Sequence, residues 1–148
     1  MIVPDRLSII DGDRRITFKD LDIRVASLAN KLYSMGVEKG DRVAVLQINC
    51  MEHIEIYLAA AKLGAVYVPL NFRARAEELL YMITDAAPIV IFVGQRYSDL
   101  IQSIADRLDF VEHRVSLEQH EHDDSWCDYS SLLETRVDDE CLPETGGD

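Results

Sequence analysis

Three groups of side chains in this sequence are of types that take part in chemistry. The first is Cys50, which follows a strand-like apolar run and stands three residues before His53. Reactive residues of α/β folds often follow a strand, and a nucleophilic thiol needs a positioned base. His53 is the one candidate base close by in sequence, and nothing beside it indicates how it would be oriented. The sequence therefore favours a buried, small apolar side chain at Cys50 over a catalytic Cys–His pair.

The second group is a polar stretch with the ligand types that metals prefer. It contains His120, His122, Asp123, Asp124 and Cys127. Imidazole, carboxylate and thiolate groups are the ligands of zinc sites. A metal site also needs a rigid support for its ligands, and this stretch is almost wholly polar and carries no sign of a scaffold. We therefore predict no metal site here.

The third group follows a predicted strand that ends at Pro69. It consists of Asn71, Arg73 and Arg75, with Phe72 among them. Ligands of open parallel sheets bind beyond the carboxyl ends of the strands, and guanidinium groups suit phosphates. The competing interpretation is a plain surface turn that leads into a helix. The sequence leaves both open.

The elements that would position these side chains alternate along the chain. Continuous apolar runs predict strands over 42–48, 65–69 and 89–93, since strands covered on both faces lose their polar alternation. Helical spacing predicts helices over 52–63, 75–84 and 98–108. Residues 110–117 are consistent with an edge strand. This order predicts an α/β fold, a parallel sheet with helices on both faces.

A short hairpin is predicted to precede the sheet. Strand-like runs over 7–10 and 15–18 flank an Asp-Gly turn at Asp11 and Gly12. A helix then begins after Thr17, and Asp20 completes a capping box three residues later. This first helix is predicted to end at Gly36, and the helix over 52–63 at Gly64. A residue at the end of a helix often needs a positive φ, which glycine adopts readily.

Charge divides the chain into two parts. Residues 118–148 carry 11 acids and one base, whereas residues 1–117 carry 16 acids and 14 bases. We therefore predict an α/β subdomain over 1–117 and an acidic, loosely structured tail or linker over 118–148. Trp126 and Tyr129 could pack that tail back onto the body, although we expect poor packing. The acidic excess argues against a nucleic-acid surface.

The cysteine count and the hydropathy of the chain point to a cytoplasmic setting. The three cysteines, Cys50, Cys127 and Cys141, are odd in number and widely spaced, which fits a reducing compartment. The sequence contains no run of about 18 apolar residues, so it predicts no membrane span. The first residues lack the pattern of a signal peptide.

Four segments, in the same order, resemble the N-terminal part of the adenylate-forming ligases. They are residues 16–21 (ITFKDL), 36–45 (GVEKGDRVAV), 61–71 (AKLGAVYVPLN) and 85–92 (DAAPIVIF). The resemblance covers about residues 5–117. Members of that family activate carboxylic acids with ATP. Asn71 is similar to the residue usual in the acyl-CoA synthetase branch, where peptide-synthetase domains have aspartate.

The resemblance implies a function for the whole protein and a limit for this chain. An acyl-CoA synthetase would use ATP, magnesium and CoA, and a carboxylic (fatty) acid would be its substrate. Asn71, Arg73 and Arg75 would be candidates for contact with CoA. The family's phosphate-binding loop and catalytic lysine have no counterpart here, so we expect an N-terminal portion that is inactive alone, with possible self-association through exposed apolar surface. The alternative is a free-standing, non-catalytic α/β nucleotide-binding or interaction domain, although no phosphate loop is visible.

Overall fold

The computed structural model describes residues 3–119 and 123–134. A hairpin of β1 (Leu7–Asp11) and β2 (Arg14–Thr17) opens the fold, as predicted. Gly12 takes a φ of +60° at its turn. Thr17 then caps α1 (Phe18–Ser34) through the predicted capping box, in which Asp20 N donates to Thr17 Oγ1 at 3.1 Å.

Five parallel strands form the main sheet. In sequence order they are β3 (Arg42–Leu46), β4 (Val66–Pro69), β5 (Val90–Val93), β6 (His113–Ser116) and β7 (Trp126–Asp128). Their order in space is β4-β3-β5-β6-β7. The three predicted strands are confirmed, each within two residues of its predicted bounds. The α/β class and the parallel sheet are therefore confirmed.

Helices cover both faces of this sheet. The helix α2 (Met51–Leu63) connects β3 to β4, and α3 (Ala76–Ala86) connects β4 to β5. The predicted helix over 98–108 is shorter than expected: α4 spans Ser98–Ser103, and a 3₁₀ turn follows over Ala105–Arg107. Gly64 ends α2 at a φ of +68°, as its position predicted. Among the helices of the described residues, none has the length and apolar content of a membrane span.

Two apolar layers fill the space between the sheet and its helices. On one face, α1 and α2 pack against Val43, Val45 and Phe92. On the other face, α3 and α4 pack against Ala44 and Leu46 together with further strand residues. Successive strand residues thus point to opposite layers, and both layers are apolar, which explains why the strands read as continuous apolar runs.

The stretch over 123–134 differs from the loose structure that its acidity suggested. It forms β7 and a short helix α5 (Tyr129–Leu133), and β7 pairs in parallel with β6. Strand β6 is therefore an interior strand and not the edge strand that the sequence suggested. Tyr129 and Leu132 are buried in the layer formed by α1 and α2, so the apolar burial of two side chains outweighs the local charge. The division into 1–117 and 118–148 stays a prediction.

Candidate functional site

The connections of the sheet reverse direction between β3 and β5. The chain leaves β3 through α2 on one face and reaches β5 through α3 on the other face. Such a switch point leaves a crevice beyond the carboxyl ends of the two strands, which is where open α/β sheets bind ligands. In this sheet the crevice lies between Gln47, which follows β3, and Gly94, which follows β5.

The side chain of Gln47 lies directly over Gly94. A Cβ placed on Gly94 would lie 2.3 Å from Nε2 of Gln47, closer than any real contact. The backbone N–H of Gly94 donates to the carbonyl of Leu46 at 2.9 Å, which holds the two strand ends together. Glycine at this position therefore makes room for the Gln47 amide.

The carboxylate of Glu118 completes the crevice. It accepts a hydrogen bond from Gln47 Nε2 at 2.8 Å and one from the backbone N–H of Gln95 at 2.6 Å. The hydroxyl of Ser116 donates to the carbonyl of Glu118 at 2.7 Å and fixes the turn after β6. A negative group of the chain itself thus occupies the backbone donor that an anionic ligand would use in a crevice of this kind. This arrangement opposes phosphate binding at the switch point.

The predicted candidates Asn71, Arg73 and Arg75 lie together in the turn between β4 and α3. Oδ1 of Asn71 accepts from the backbone N–H of Arg73 at 3.0 Å, so Asn71 shapes the turn. The guanidinium of Arg73 lies over the ring of Phe72, 5.5 Å from the ring centre. Arg75 precedes α3, and its backbone N–H donates to Glu78 at 2.8 Å. Both guanidinium groups are exposed, which leaves them free to meet an anion from solvent.

An open groove of about 460 Å³ adjoins this turn. Its lining includes Asn71 together with Glu77, Glu78 and Tyr81 from α3. The two carboxylates oppose an anionic group inside the groove, while the arginines stand outside its lining. Any phosphate contact at this turn would therefore use the arginine side of the turn and not the groove.

Cys50 and His53 do not form a catalytic pair. Cys50 precedes α2 and is half-buried, and burial raises the pKa of its thiol to about 12. The ring of His53 is engaged elsewhere: Nδ1 contacts the hydroxyl of Tyr67, and Nε2 lies 3.0 Å from the carbonyl of Gln47. His53 thus braces the end of β3 against β4, and Cys50 is a protonated structural thiol at neutral pH.

Two carboxylates of α2 have roles that the sequence did not reveal. Glu52 accepts from Arg14 at 2.5 and 3.1 Å, and Glu55 accepts from Arg24 at 2.5 and 3.2 Å. Burial acts to raise the pKa of Glu52, but the hydrogen bonds that its carboxylate accepts, first among them that from Arg14, together outweigh burial, and the pKa is lowered. The available signal was two acids three residues apart, and so on one face, in a mostly apolar helix; acids on a buried face need partners.

The polar stretch that begins at His120 is described only in part. His120 and His122 lie outside the described residues, so the prediction about a metal there stays a prediction. Asp123 accepts from the backbone N–H of Ser125 at 2.9 Å and shapes the turn before β7. Within residues 3–119 and 123–134, no three histidine, cysteine or acidic side chains gather closely enough to hold a metal ion.

This sheet order, with helices on both faces, defines a doubly wound α/β protein whose switch-point crevice is filled by its own side chains. The family model described as AMP-binding enzyme matches residues 3–145. The chain therefore belongs to the AMP-binding enzyme family, and the recognised resemblance to adenylate-forming ligases is confirmed.

Several of the relatives that match this chain are CoA ligases. A 2-succinylbenzoate–CoA ligase of Bacillus cereus is 34% identical over 121 residues, covering 80% of this chain and 25% of that ligase. A solved structure titled as a putative long-chain-fatty-acid CoA ligase from Rhodopseudomonas palustris is 32% identical, with a TM-score of 0.82, and the match covers 87% of this chain and 32% of that one.

A second solved structure extends the match over nearly the whole chain. The Mycobacterium tuberculosis fatty acyl CoA synthetase is 30% identical, with a TM-score of 0.83, over 99% of this chain and 28% of that protein. The chain thus spans only about a quarter to a third of the length of these three proteins.

Proposed function

We propose that this chain serves as the N-terminal part of an ATP-dependent acyl-CoA ligase. The reaction of the whole enzyme has two steps. The carboxylate of an acid attacks the α-phosphorus of ATP, which gives an acyl-adenylate and pyrophosphate. The thiol of CoA then attacks the acyl carbon, and AMP leaves as the thioester forms. The observation that supports the proposal is the match, at 30% identity or more over most of this chain, to two proteins named as CoA ligases and one named as a fatty acyl CoA synthetase.

Within that reaction, this chain supplies a scaffold and one candidate contact surface. Arg73 and Arg75 carry exposed guanidinium groups beyond the carboxyl end of β4, where phosphates of CoA could pair with them. The proposed reaction requires ATP and magnesium. The described residues offer no cluster of acidic side chains for the metal, so the proposal gives them no part in holding it. The proposed substrate is a carboxylic, fatty-type acid, and the proposed location is the cytoplasm.

The competing function, a free-standing nucleotide-binding domain, is disfavoured by the filled crevice. The sheet has the common doubly wound order that binds nucleotides at its switch point in other proteins. Here Gln47 and Glu118 occupy that crevice, and the backbone N–H of Gln95 is already bonded to a carboxylate. A phosphate would have to displace a negative group from its donors.

The test is acid-dependent exchange of labelled pyrophosphate into ATP. The 148-residue chain alone should show no exchange above background with short to long fatty acids, because stabilisation of the phosphates and precise positioning are both missing, and positioning alone is worth about 7–11 kcal/mol. Exchange that persists through rigorous purification would contradict the inactivity expected of the isolated chain. Tight AMP or ATP binding by the chain alone, measured by calorimetry, would favour the competing function.

The CoA contact is tested separately. The experiment uses a fusion of this chain with the downstream part of an active ligase. In that fusion, the double substitution Arg73→Ala and Arg75→Ala should raise the KM for CoA. Pyrophosphate exchange should be unchanged, since that exchange precedes the attack of CoA. Arg107→Ala, a change at an exposed arginine paired with Glu77 at 3.1 Å, is the matched control. An unchanged KM for CoA would reject the assignment.

A further inference from the structure

The turn between β4 and α3 is fixed at both of its ends. Where the strand ends, the backbone N–H of Leu70 donates to the carbonyl of Val45 on the neighbouring strand β3 at 2.8 Å. Where the helix begins, the carboxylate of Glu78 accepts from the backbone N–H of Arg75 at 2.8 Å. Between these two points Ala74 is buried. The backbone that carries the two exposed arginines is therefore held by the sheet, the core and the helix.

Asn71 shapes the inside of this turn. Its backbone carbonyl accepts from the N–H of Ala74, and its side-chain Oδ1 accepts from the N–H of Arg73, both at 3.0 Å. An asparagine side chain that accepts from the backbone two residues further on mimics a tight backbone turn. Asn71 thus fixes the direction in which the side chain of Arg73 leaves the backbone.

The guanidinium of Arg73 is held without being neutralised. It lies over the ring of Phe72, 5.5 Å from the ring centre, and a ring face attracts a cation without carrying a net charge. Among the described residues no carboxylate forms a salt bridge with Arg73, whereas the exposed Arg107 is paired with Glu77 at 3.1 Å. Arg73 therefore keeps its full charge for an anion from solvent.

The amide of Asn71 leaves this charge unopposed. A carboxylate at position 71 would have the same size and would accept the same hydrogen bond, but it would place a negative charge two residues from Arg73. The neutral amide has an NH2 group, which only donates hydrogen bonds, and Asn71 is exposed. Glu77 and Glu78 already line the adjoining groove, so a further acid would make this turn unfavourable for a phosphate.

We propose that Asn71 is a positioning residue for the step in which CoA reacts. It orders Arg73 through the turn, and its neutral amide preserves the attraction of that guanidinium for a phosphate of CoA. This inference rests on the proposed function, in which Arg73 and Arg75 meet CoA. It adds that an amide at position 71 favours a thiol that carries phosphates over one that carries none. A side chain ordered before binding loses less conformational freedom when the ligand arrives.

The experiment compares two thiol acceptors in the fusion of this chain with the downstream part of an active ligase. CoA carries phosphates, and pantetheine has the same thiol arm without them. Asn71→Asp keeps the acceptor of the turn and adds a charge, so the ratio of the KM for CoA to the KM for pantetheine should rise about threefold or more. The difference from the parent should shrink at about 0.5 M salt, since salt screens exposed charges.

Two further variants separate the turn from the charge. Asn71→Ala removes Oδ1 and adds no charge, so the same KM ratio should rise about twofold or more, and this rise should persist at high salt. Gln102→Glu makes the same change from amide to carboxylate at an exposed position of α4, and should match the parent with both thiols.

A second measurement does not depend on turnover. Backbone amide resonances of the full 148-residue chain are followed by NMR while CoA is added to millimolar concentrations. In the parent, the shifts of Arg73 and Arg75 should change most. Asn71→Asp should reduce those changes, and Gln102→Glu should not. Amide hydrogen exchange at Arg73 should be faster in Asn71→Ala and unchanged in Asn71→Asp, because only the former loses the acceptor of the turn.

Two results would overturn the positioning proposal. They are equal KM changes for CoA and pantetheine in Asn71→Asp, and an NMR response to CoA that Asn71→Asp leaves intact. A parent fusion that forms acyl-CoA while Asn71→Asp keeps the parent's KM ratio would support the proposed function and reject the role of Asn71. A fusion that forms no acyl-CoA, with an Arg73 response to CoA that Asn71→Asp reduces, would support the role of Asn71 and count against the proposed activity.

Discussion

The hydroxyl of Tyr129 donates a hydrogen bond of 2.5 Å to Oε2 of Glu55, a side chain with no exposed surface. The same carboxylate accepts from Arg24 of α1, so one acidic group connects α1, α2 and α5. The ring of Tyr129 also meets that of Phe92 edge to face, 5.9 Å between centres. These contacts fasten the segment that carries β7 and α5 to the first layer of the core.

Removing the hydroxyl of Tyr129 should weaken the fold. Tyr129→Phe leaves a buried carboxylate without one of its donors and should lower the free energy of unfolding by about 1–3 kcal/mol. Urea denaturation followed by circular dichroism measures the change. Tyr57→Phe, at a half-exposed tyrosine, is the control and should stay within about 0.5 kcal/mol of the parent. Equal midpoints for the two variants would show that the Tyr129 bond does not anchor the segment.

Acid should weaken the contact between the hairpin and α2. The backbone N–H of Met51 and the Arg14 guanidinium lower the pKa of Asp11. Burial acts to raise the pKa of Glu52, but the hydrogen bonds to its carboxylate, first among them that from Arg14, lower it overall. A carboxylate with a lowered pKa stabilises the fold above its unfolded-state pKa, about 4, and that stabilisation is lost as pH falls through the folded-state value. Stability should therefore decline below about pH 4.

The variant Arg14→Gln tests the origin of this acid sensitivity. It should be less stable than the parent at pH 7, and the difference should shrink below about pH 4, as the carboxylates become protonated in both proteins. Arg15→Gln, the neighbouring exposed arginine, should follow the parent at every pH. A constant difference between Arg14→Gln and the parent across this pH range would mean that Arg14 acts through packing alone.

A methyl group at Gly94 should displace the Gln47 side chain. Gly94→Ala places a carbon 2.3 Å from Nε2 of Gln47, and this flexible side chain can rotate away only by giving up its bond to Glu118. We expect a loss of about 0.5–1.5 kcal/mol, the usual value of one hydrogen bond. The same substitution in a Gln47→Ala background should cost less, and urea denaturation of the four proteins gives the coupling. Additive losses would show that the two residues are independent.

The two described cysteines should react at very different rates. Burial raises the pKa of the Cys50 thiol to about 12, so little thiolate forms at pH 8, whereas Cys127 is exposed. Iodoacetamide should modify Cys127 first, as measured by mass spectrometry of peptides at timed intervals. In urea the rate at Cys50 should rise towards that of Cys127. Rapid native alkylation at Cys50 would contradict its assignment as a structural thiol.

The sequence by itself determined the local elements of this protein. The apolar runs at 42–48, 65–69 and 89–93 give strands because continuous apolar character allows burial on both faces. Thr17 and Asp20 fix the start of α1, since capping depends on residues three apart. The segments resembling the adenylate-forming ligases likewise identified the family that the matched model confirmed.

Only the tertiary structure decided which distant groups meet. Glu118 reaches Gln47 across 71 positions, and Tyr129 reaches Glu55 across 74. Such contacts depend on strand order, crossover direction and register, which periodicity does not encode. The contact between Gln47 and Glu118 was therefore not predicted, and for Tyr129 the sequence suggested packing onto the body without indicating its partner. The acidic composition after residue 117 suggested a loose tail. Instead a few buried side chains in that stretch add β7 to the sheet, because apolar burial and one buried hydrogen bond act locally while exposed charges are screened by solvent.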